Sequence, residues 1–282
     1  MSEAAEEQTR DTATSQERGE KEAVVRARGI ETRIGDNVIY ESVDITAYRG
    51  EVLAIIGTSG GGKTTLLRAI MGLRKPTAGT VEIFGKDIHK LDWREAHALR
   101  KRWGIMFQQG ALFSALTVFD NVAFPLRELR TMGEGLDEDL VHELVMLKVQ
   151  MSGLAVEDAN KYPAELSGGM VKRAALARAL AVEAELLFLD EPVSGLDPET
   201  AHDLDKVLAD LQEELDLTIV MVSHDLDSVA ALADRIAILA EKRILFEGPL
   251  AELPDSEARE QPAVKKLFEG ARGAALRARM KK

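Results

Sequence analysis

Eight consecutive residues, Gly57-Thr58-Ser59-Gly60-Gly61-Gly62-Lys63-Thr64, stand in an order that lets a backbone wrap a phosphate chain. The glycines free successive N–H groups to converge on phosphate oxygens. A helix opening at their end adds its partial positive charge. Lys63 is placed to reach the β- and γ-phosphates, and Thr64 to set its hydroxyl on Mg²⁺. Thr65 follows directly and is counted with the loop. The chemistry is binding of ATP or GTP, with hydrolysis expected. A Gly-rich turn with a surface lysine would explain the loop, but not its place between a buried strand and a helix.

Leu186-Leu187-Phe188-Leu189-Asp190-Glu191 is the complement. Four apolar residues bury a strand, and two carboxylates emerge at its C-terminal end, the edge where open parallel sheets bind ligands. Asp190 is expected to hold Mg²⁺, and Glu191 to orient or deprotonate an attacking water. Val220-Met221-Val222-Ser223-His224 brings His224 to the same edge, where a γ-phosphate contact is expected. Gln108, after a strand over residues 104–107, is placed to sense Mg²⁺ or the water, with Gln109 as its alternative. Leu166-Ser167-Gly168-Gly169-Met170 precedes a long helix. Ser167 reads as an N-cap, or with the Gly168 and Gly169 amides as a second anion cradle.

The elements that must position these groups follow from pattern. Residues 23–27 and 38–47 alternate like edge-type antiparallel strands. Short apolar runs at 52–56, 186–189 and 218–222 suit strands buried on both faces. Strands are also expected at 80–84, 235–239 and 243–246, and helices at 64–72, 171–181 and 199–215. Strand–helix alternation implies an α/β fold with a parallel sheet under helical cover. Between about 121 and 162 the pattern becomes helical with polar faces, an insertion between strands. Residues 1–22 are polar and nearly free of large apolar side chains, and are expected to be a disordered tail. The 261–282 extension is expected to be helical and basic.

Composition bounds the function. The 282-residue chain carries a formal net charge of -12, which argues against a protein built to grip nucleic acid. Without cysteine it has no disulfide framework or thiolate metal site. It contains no apolar run of the roughly 20 residues needed to span a bilayer, and no basic-then-apolar signal segment at its start.

Taken together, the segments resemble the nucleotide-binding subunit of an ABC transporter. They stand in family order: P-loop at Gly57 to Thr64, Q-loop at Gln108, signature at Leu166 to Met170, Walker B at Leu186 to Glu191, D-loop Ser194-Gly195-Leu196-Asp197 and switch His224. The resemblance implies a P-loop NTPase with a RecA-like core, a small antiparallel β subdomain and an inserted helical subdomain at about 110–170, within an ATPase domain at 23–260. It implies ATP and Mg²⁺ as cofactors. It also implies a homodimer packed head to tail, in which ATP on Lys63 of one chain meets Ser167, Gly168 and Gly169 of the other, with Asp197 at the interface. Two positions depart from the common pattern. Met170 stands where Gln is usual, and Ile34 where an aromatic ring would stack on adenine; Tyr40 lies nearby.

Met170 and its sequel Val171-Lys172-Arg173-Ala174-Ala175-Leu176-Ala177-Arg178-Ala179 resemble the ATPases that serve MCE-domain lipid transporters of the Mla type. So does Gln109-Gly110-Ala111-Leu112-Phe113-Ser114-Ala115-Leu116-Thr117-Val118-Phe119-Asp120-Asn121 and its continuation to Glu128. This resemblance implies phospholipid transport between inner and outer membrane, with an integral membrane permease and a periplasmic MCE-domain lipid-binding protein as partners. The subunit would sit peripherally at the cytoplasmic face of the inner membrane. An importer ATPase for polar amino acids or another small solute is the alternative. Leu112, Phe113, Val118, Phe119 and Phe124 are expected to divide between core and a groove for a permease helix. Val264, Leu267 and Phe268 follow helical spacing and could dock on a second subunit.

Overall fold

The computed structural model describes residues 21–58, 60–131, 136–268 and 276. The expected tail at 1–22 therefore lies almost wholly outside the described residues, as does most of the basic end.

Two sheets share one core. The first is antiparallel, in the order β2-β1-β4-β5, built from β1 (Ala23–Ile34), β2 (Asn37–Tyr48), β4 (Ala78–Ile83) and β5 (Lys86–Asp87). β1 was expected at an edge, yet it lies between β2 and β4. Both its edges are paired, and its Val24, Val25, Ala27 and Ile30 are buried. The second sheet has the order β10-β9-β3-β8-β7-β6, comprising β3 (Val52–Gly57), β6 (Trp103–Met106), β7 (Leu186–Asp190), β8 (Thr218–Val222), β9 (Arg235–Ala240) and β10 (Arg243–Pro249). β9, β3, β8, β7 and β6 run parallel, and β10 closes the edge antiparallel.

Every residue of β3, β7 and β8 is buried, which is why these strands read as continuous apolar runs and not as alternation. Period two decides what each side chain meets. Leu53 and Ile55 face a core shared with the antiparallel sheet and with α1 (Lys63–Ile70). Val52, Ala54 and Ile56 face the opposite core, with α5 (Gly168–Leu180), α6 (Pro198–Leu215) and α7 (Leu226–Leu232). Each such Ile or Leu removed from water stabilises the fold by about 1.5–3 kcal/mol. Arg235 ties the sheets polar end to polar end. It donates to the Thr46 carbonyl at 2.9 Å, to Glu51 at 2.8 Å and to Glu247 at 2.9 Å.

α2 (Trp93–Arg100), which no periodicity announces, is held by a capping box between Asp92 and Glu95. The inserted helices are α3 (Val118–Thr131) and α4 (Glu138–Met151), the latter capped by Asp137. They form a third core with Ala174, Ala177 and Ala181, so α5 belongs to both the insertion and the main core. Among the described residues no helix is long and apolar enough to cross a membrane. In α8 (Pro262–Phe268), Val264 is fully buried in the chain's own core and Leu267 packs against it. These two side chains dock within the subunit, a different surface from the second-subunit contact their spacing suggested.

α6 and α7 are joined by a buried hydrogen bond, Ser228 Oγ to Asp205 Oδ2 at 2.7 Å, while Asp205 Oδ1 is buried without a partner. Burial pushes this carboxyl up to about 6, against the pull of Ser228, with Asp225, His202 and Asp227 also in its field. An acid whose native value is raised contributes stability below its unfolded value, lost as pH rises through the native one. Stability should therefore fall between about pH 4 and 6 on this group's account. Asp205→Asn should remove that slope and raise unfolding free energy at pH 7.5 by about 2 kcal/mol. Urea melts at pH 4.5 and 7.5 check it, and an undiminished slope in the variant would contradict it.

Candidate active site

β3 ends at Gly57, and the loop that follows turns back over its own strand end. A Cβ on Gly57 would collide with the Leu239 carbonyl oxygen of the neighbouring strand. Gly62 has φ 91°, and a Cβ there would lie 2.6 Å from Ile39 Cγ2. Neither position admits a larger side chain, so the glycine spacing is a packing requirement as well as a phosphate one. α1 starts at Lys63 with no side-chain cap and no acidic residue in its first turn, leaving its N–H groups aimed outward for an anion. Lys63 Nζ donates to the Gly57 and Thr58 carbonyls at 3.1 and 3.0 Å, curled into the loop it is to serve. Burial holds its ammonium below the usual lysine range, opposed by Glu191 and Asp190.

A cavity of about 930 Å³ opens over this loop, large enough for a nucleotide. It is lined by Gly57, Thr58, Gly60, Gly61, Gly62, Lys63, Thr64 and Thr65 from the loop, and by Gln108, Glu191 and His224 from the strand ends. Ser59 lies outside the described residues. Gln108 lines the cavity and Gln109 does not, which separates the two glutamines.

β7 delivers Asp190 and Glu191. Asp190 Oδ1 accepts from Thr64 Oγ1 at 3.1 Å, and burial pushes its carboxyl up. A buried carboxylate touching a hydroxyl is a donor pair suited to a hard divalent cation that keeps waters and phosphate oxygens as its other ligands. The residues therefore fit Mg²⁺. Glu191 is 8% exposed and has φ 52°, a left-handed conformation that costs a non-glycine residue about 1–3 kcal/mol. Its N–H donates to the Val222 carbonyl at 2.9 Å. Its Oε2 lies 2.6 Å from His224 Nδ1 and accepts from the His224 N–H at 3.2 Å. The kink swings the carboxylate from the strand line toward the cavity, where the histidine ring meets it. A base beside a phosphate cradle, oriented by a neighbouring ring, is an arrangement for activating water.

Five described site residues do not line this cavity: Asp190, which is hydrogen-bonded to the lining residue Thr64, and Ser167, Gly168, Gly169 and Asp197. Ser167 caps α5 and its Oγ accepts from the Met170 N–H at 3.3 Å. Asp197 caps α6, accepting from Thr200 N–H at 3.0 Å and Thr200 Oγ1 at 2.6 Å, bonds that hold its carboxyl below the usual range.

The base-facing wall also differs from expectation. Ile34 is 46% exposed and lies off the cavity, while Ile39 lines it. Tyr40 is fully buried and accepts a hydrogen bond from Thr32 Oγ1 at 2.8 Å, so it is a core residue. Ile56, Ser223, Leu226, Lys266 and Leu267 complete the lining; Ser223 directly precedes the expected His224, Leu267 was expected to dock elsewhere, and neither Leu226 nor Lys266 was marked as a site residue. Lys266 and Leu267 come from α8, whose approach only the packing of Val264 makes visible. In the insertion, Val118 is buried, and Phe113 and Phe124 are 46% and 41% exposed with ring centroids 4.9 Å apart.

Comparison with known proteins gives the family of the chain. Residues 40–194 match the model of the ABC transporter family. The chain is 40% identical over 83% of its length, and 87% of the relative's, to the Intermembrane phospholipid transport system ATP-binding protein MlaF of Haemophilus influenzae. It is 41% identical to the protein of the same name from Escherichia coli K12, over 88% of this chain and 89% of that one. Among solved structures it resembles a dimeric, post-hydrolysis ATP-binding cassette bound to ADP and Pi, at TM-score 0.73 and 30% identity. That likeness covers 80% of this chain and 98% of the other.

Proposed function

The chain belongs to the ABC transporter family and is an ATP-hydrolysing member of it; from that premise we propose that it powers phospholipid transport between the membranes of a two-membrane envelope. The observation that carries the substrate is identity of about two residues in five, over most of both chains, to ATPases named for intermembrane phospholipid transport. Relatives named for probable ribonucleotide transport match at 36% identity over 88% of this chain, below the 40% and 41% of the phospholipid-transport ATPases, so import of a small solute is the less favoured reading.

In this reading two copies pack head to tail, and Ser167, Gly168, Gly169 and Asp197 of each complete the cavity of the other. Their absence from the lining of their own cavity supports that division of labour. ATP supplies the phosphoanhydride that is cleaved, and Mg²⁺ would supply positive charge against its phosphates. Thr64 and Asp190 would hold the ion, with Gln108 near it. The loop N–H groups and Lys63 grip the phosphates. Glu191 takes the proton of the attacking water, and His224 orients that carboxylate and reaches the γ-phosphate.

Phe113 and Phe124 make an exposed aromatic pair beside the Gln108 loop, the surface we assign to an integral membrane permease. A periplasmic MCE-domain protein would receive or deliver the lipid, with this subunit at the cytoplasmic face. The test is reconstitution with the permease in vesicles holding a labelled phospholipid. ATP-dependent transfer is expected, and it should be lost in Phe113→Asp together with permease co-purification, while ATP binding by the isolated subunit persists. Transfer of a polar amino acid in place of the lipid, or unchanged permease recovery with Phe113→Asp, would overturn the respective assignments.

A further inference from the structure

Glu191 is held in its left-handed conformation by an unusual set of bonds to its carbonyl. Ser194 Oγ donates to it at 3.0 Å, Ser194 N–H at 3.2 Å, and Lys172 Nζ at 2.8 Å. Lys172 is 5% exposed, and it enters from α5, an element that supplies none of the cavity lining. The same ammonium also donates to the Gln108 carbonyl at 2.5 Å and reaches Ser194 Oγ at 3.4 Å. One buried cation therefore joins three segments: the loop bearing Gln108, the strand end bearing Glu191, and the turn leading to Asp197.

Its burial is costly. Desolvation pulls the ammonium down to about 8, against the opposing fields of Glu191 and Asp190. A lysine that only filled space could be replaced by an apolar chain of equal length without that cost. The oxygens it reaches would otherwise be under-satisfied at a strained residue. Further along α5, Arg178 donates to the Ala111 and Gly110 carbonyls at 2.6 and 2.8 Å, so the helix grips the Gln108 loop at a second point.

We infer that Lys172 is a positioning residue for hydrolysis, setting the Gln108 loop and the Glu191 backbone in fixed relation through one ammonium. It does not line the cavity. It acts by keeping the Glu191 carboxylate and the Gln108 amide at one spacing, and by making both follow α5, the helix that begins at Ser167. The inference rests on the hydrolytic roles given above to Glu191 and Gln108.

Lys172→Met keeps the length and removes the donors. The expected result is a kcat per nucleotide-binding site lowered about 10- to 100-fold, the range for losing charge-assisted hydrogen bonds at a reacting centre. KM for ATP and affinity for a fluorescent ATP analogue should stay within about twofold, since the loop around Lys63 is untouched. Lys172→Gln, which retains two N–H donors on a shorter chain, should recover part of kcat. Wild-type kcat in Lys172→Met, or a tenfold rise in KM with kcat kept, overturns the inference. Should the Met variant fail to fold, the Gln variant decides by the same two measurements: a lowered kcat at unchanged KM supports the role, and wild-type kcat overturns it. Glu191→Gln assayed in parallel separates the two readings. Full activity there removes the hydrolytic site as assigned, whereas an inactive Glu191→Gln beside a fully active Lys172→Met removes the role of Lys172 alone.

Discussion

Glu191→Gln is expected to bind ATP, accumulate as a dimer and hydrolyse about 10²- to 10⁴-fold more slowly than the parent chain, the range that positioned proton transfer contributes. The substitution changes one atom type at nearly constant volume. Glutamine keeps an acceptor for the His224 N–H, now 3.2 Å from Glu191 Oε2, and removes the charge that can take a proton from water. The phosphate-gripping loop and the Thr64–Asp190 pair are left as they are, so binding should survive. An ATP-bound pair that cannot turn over should persist long enough to be seen by size-exclusion chromatography in ATP and Mg²⁺. Phosphate release within about threefold of the parent would remove Glu191 from the role of base.

The second large effect concerns a residue outside the cavity. Ser167→Arg should leave ATP affinity of the dilute, monomeric chain within about threefold, yet lower hydrolysis at least about 100-fold, as loss of a preorganised anion cradle does. Ser167 lines no part of its own chain's cavity. Its hydroxyl caps α5, and a bulky cation there would block any anion approaching the helix start. Some stability would go with the cap, about 1 kcal/mol, too little to unfold a domain of this size. Equilibrium binding at low protein concentration, set beside turnover at high concentration, makes the comparison. A matching loss in monomer binding would mean that the cradle serves its own chain's nucleotide, and the half-site account would fail.

The Glu191–His224 contact shows how far residue order reaches. Apolar runs at 186–189 and 218–222 told where the strands lie, because a strand buried on both faces can carry little else. The polar residue following each run must then emerge at one sheet edge, since the strands are parallel. Residue order alone thus places Asp190, Glu191 and His224 near the glycine loop. The left-handed turn at Glu191 was hidden, since it depends on a bond donated to the Val222 carbonyl and on bonds accepted from Ser194 and Lys172, residues up to 31 positions away along the chain.

Lys172 and Ile39 mark the limit from the other side. Lysine in a helix reads as a solvated charge, and only the depth at which α5 packs turns Lys172 inward. Ile39 reads as one more apolar residue of β2, and only its contact with the Gly62 turn brings it to the cavity wall. β1 read as an edge strand because its alternation is clear, but alternation reports which side chains are buried and says nothing of how many neighbours pair with the backbone.

The chemistry of the glycine loop, the two carboxylates and the histidine was fixed by residue type and order, because phosphate binding and water activation need particular groups at the ends of particular strands. The tertiary structure decided the rest: which glutamine faces the cavity, which isoleucine walls it, where the α8 side chains dock, and how a single buried ammonium reaches Gln108 and Glu191 together. Those outcomes depend on the packing of elements distant in sequence, and contacts of that kind leave no periodicity in the chain to read.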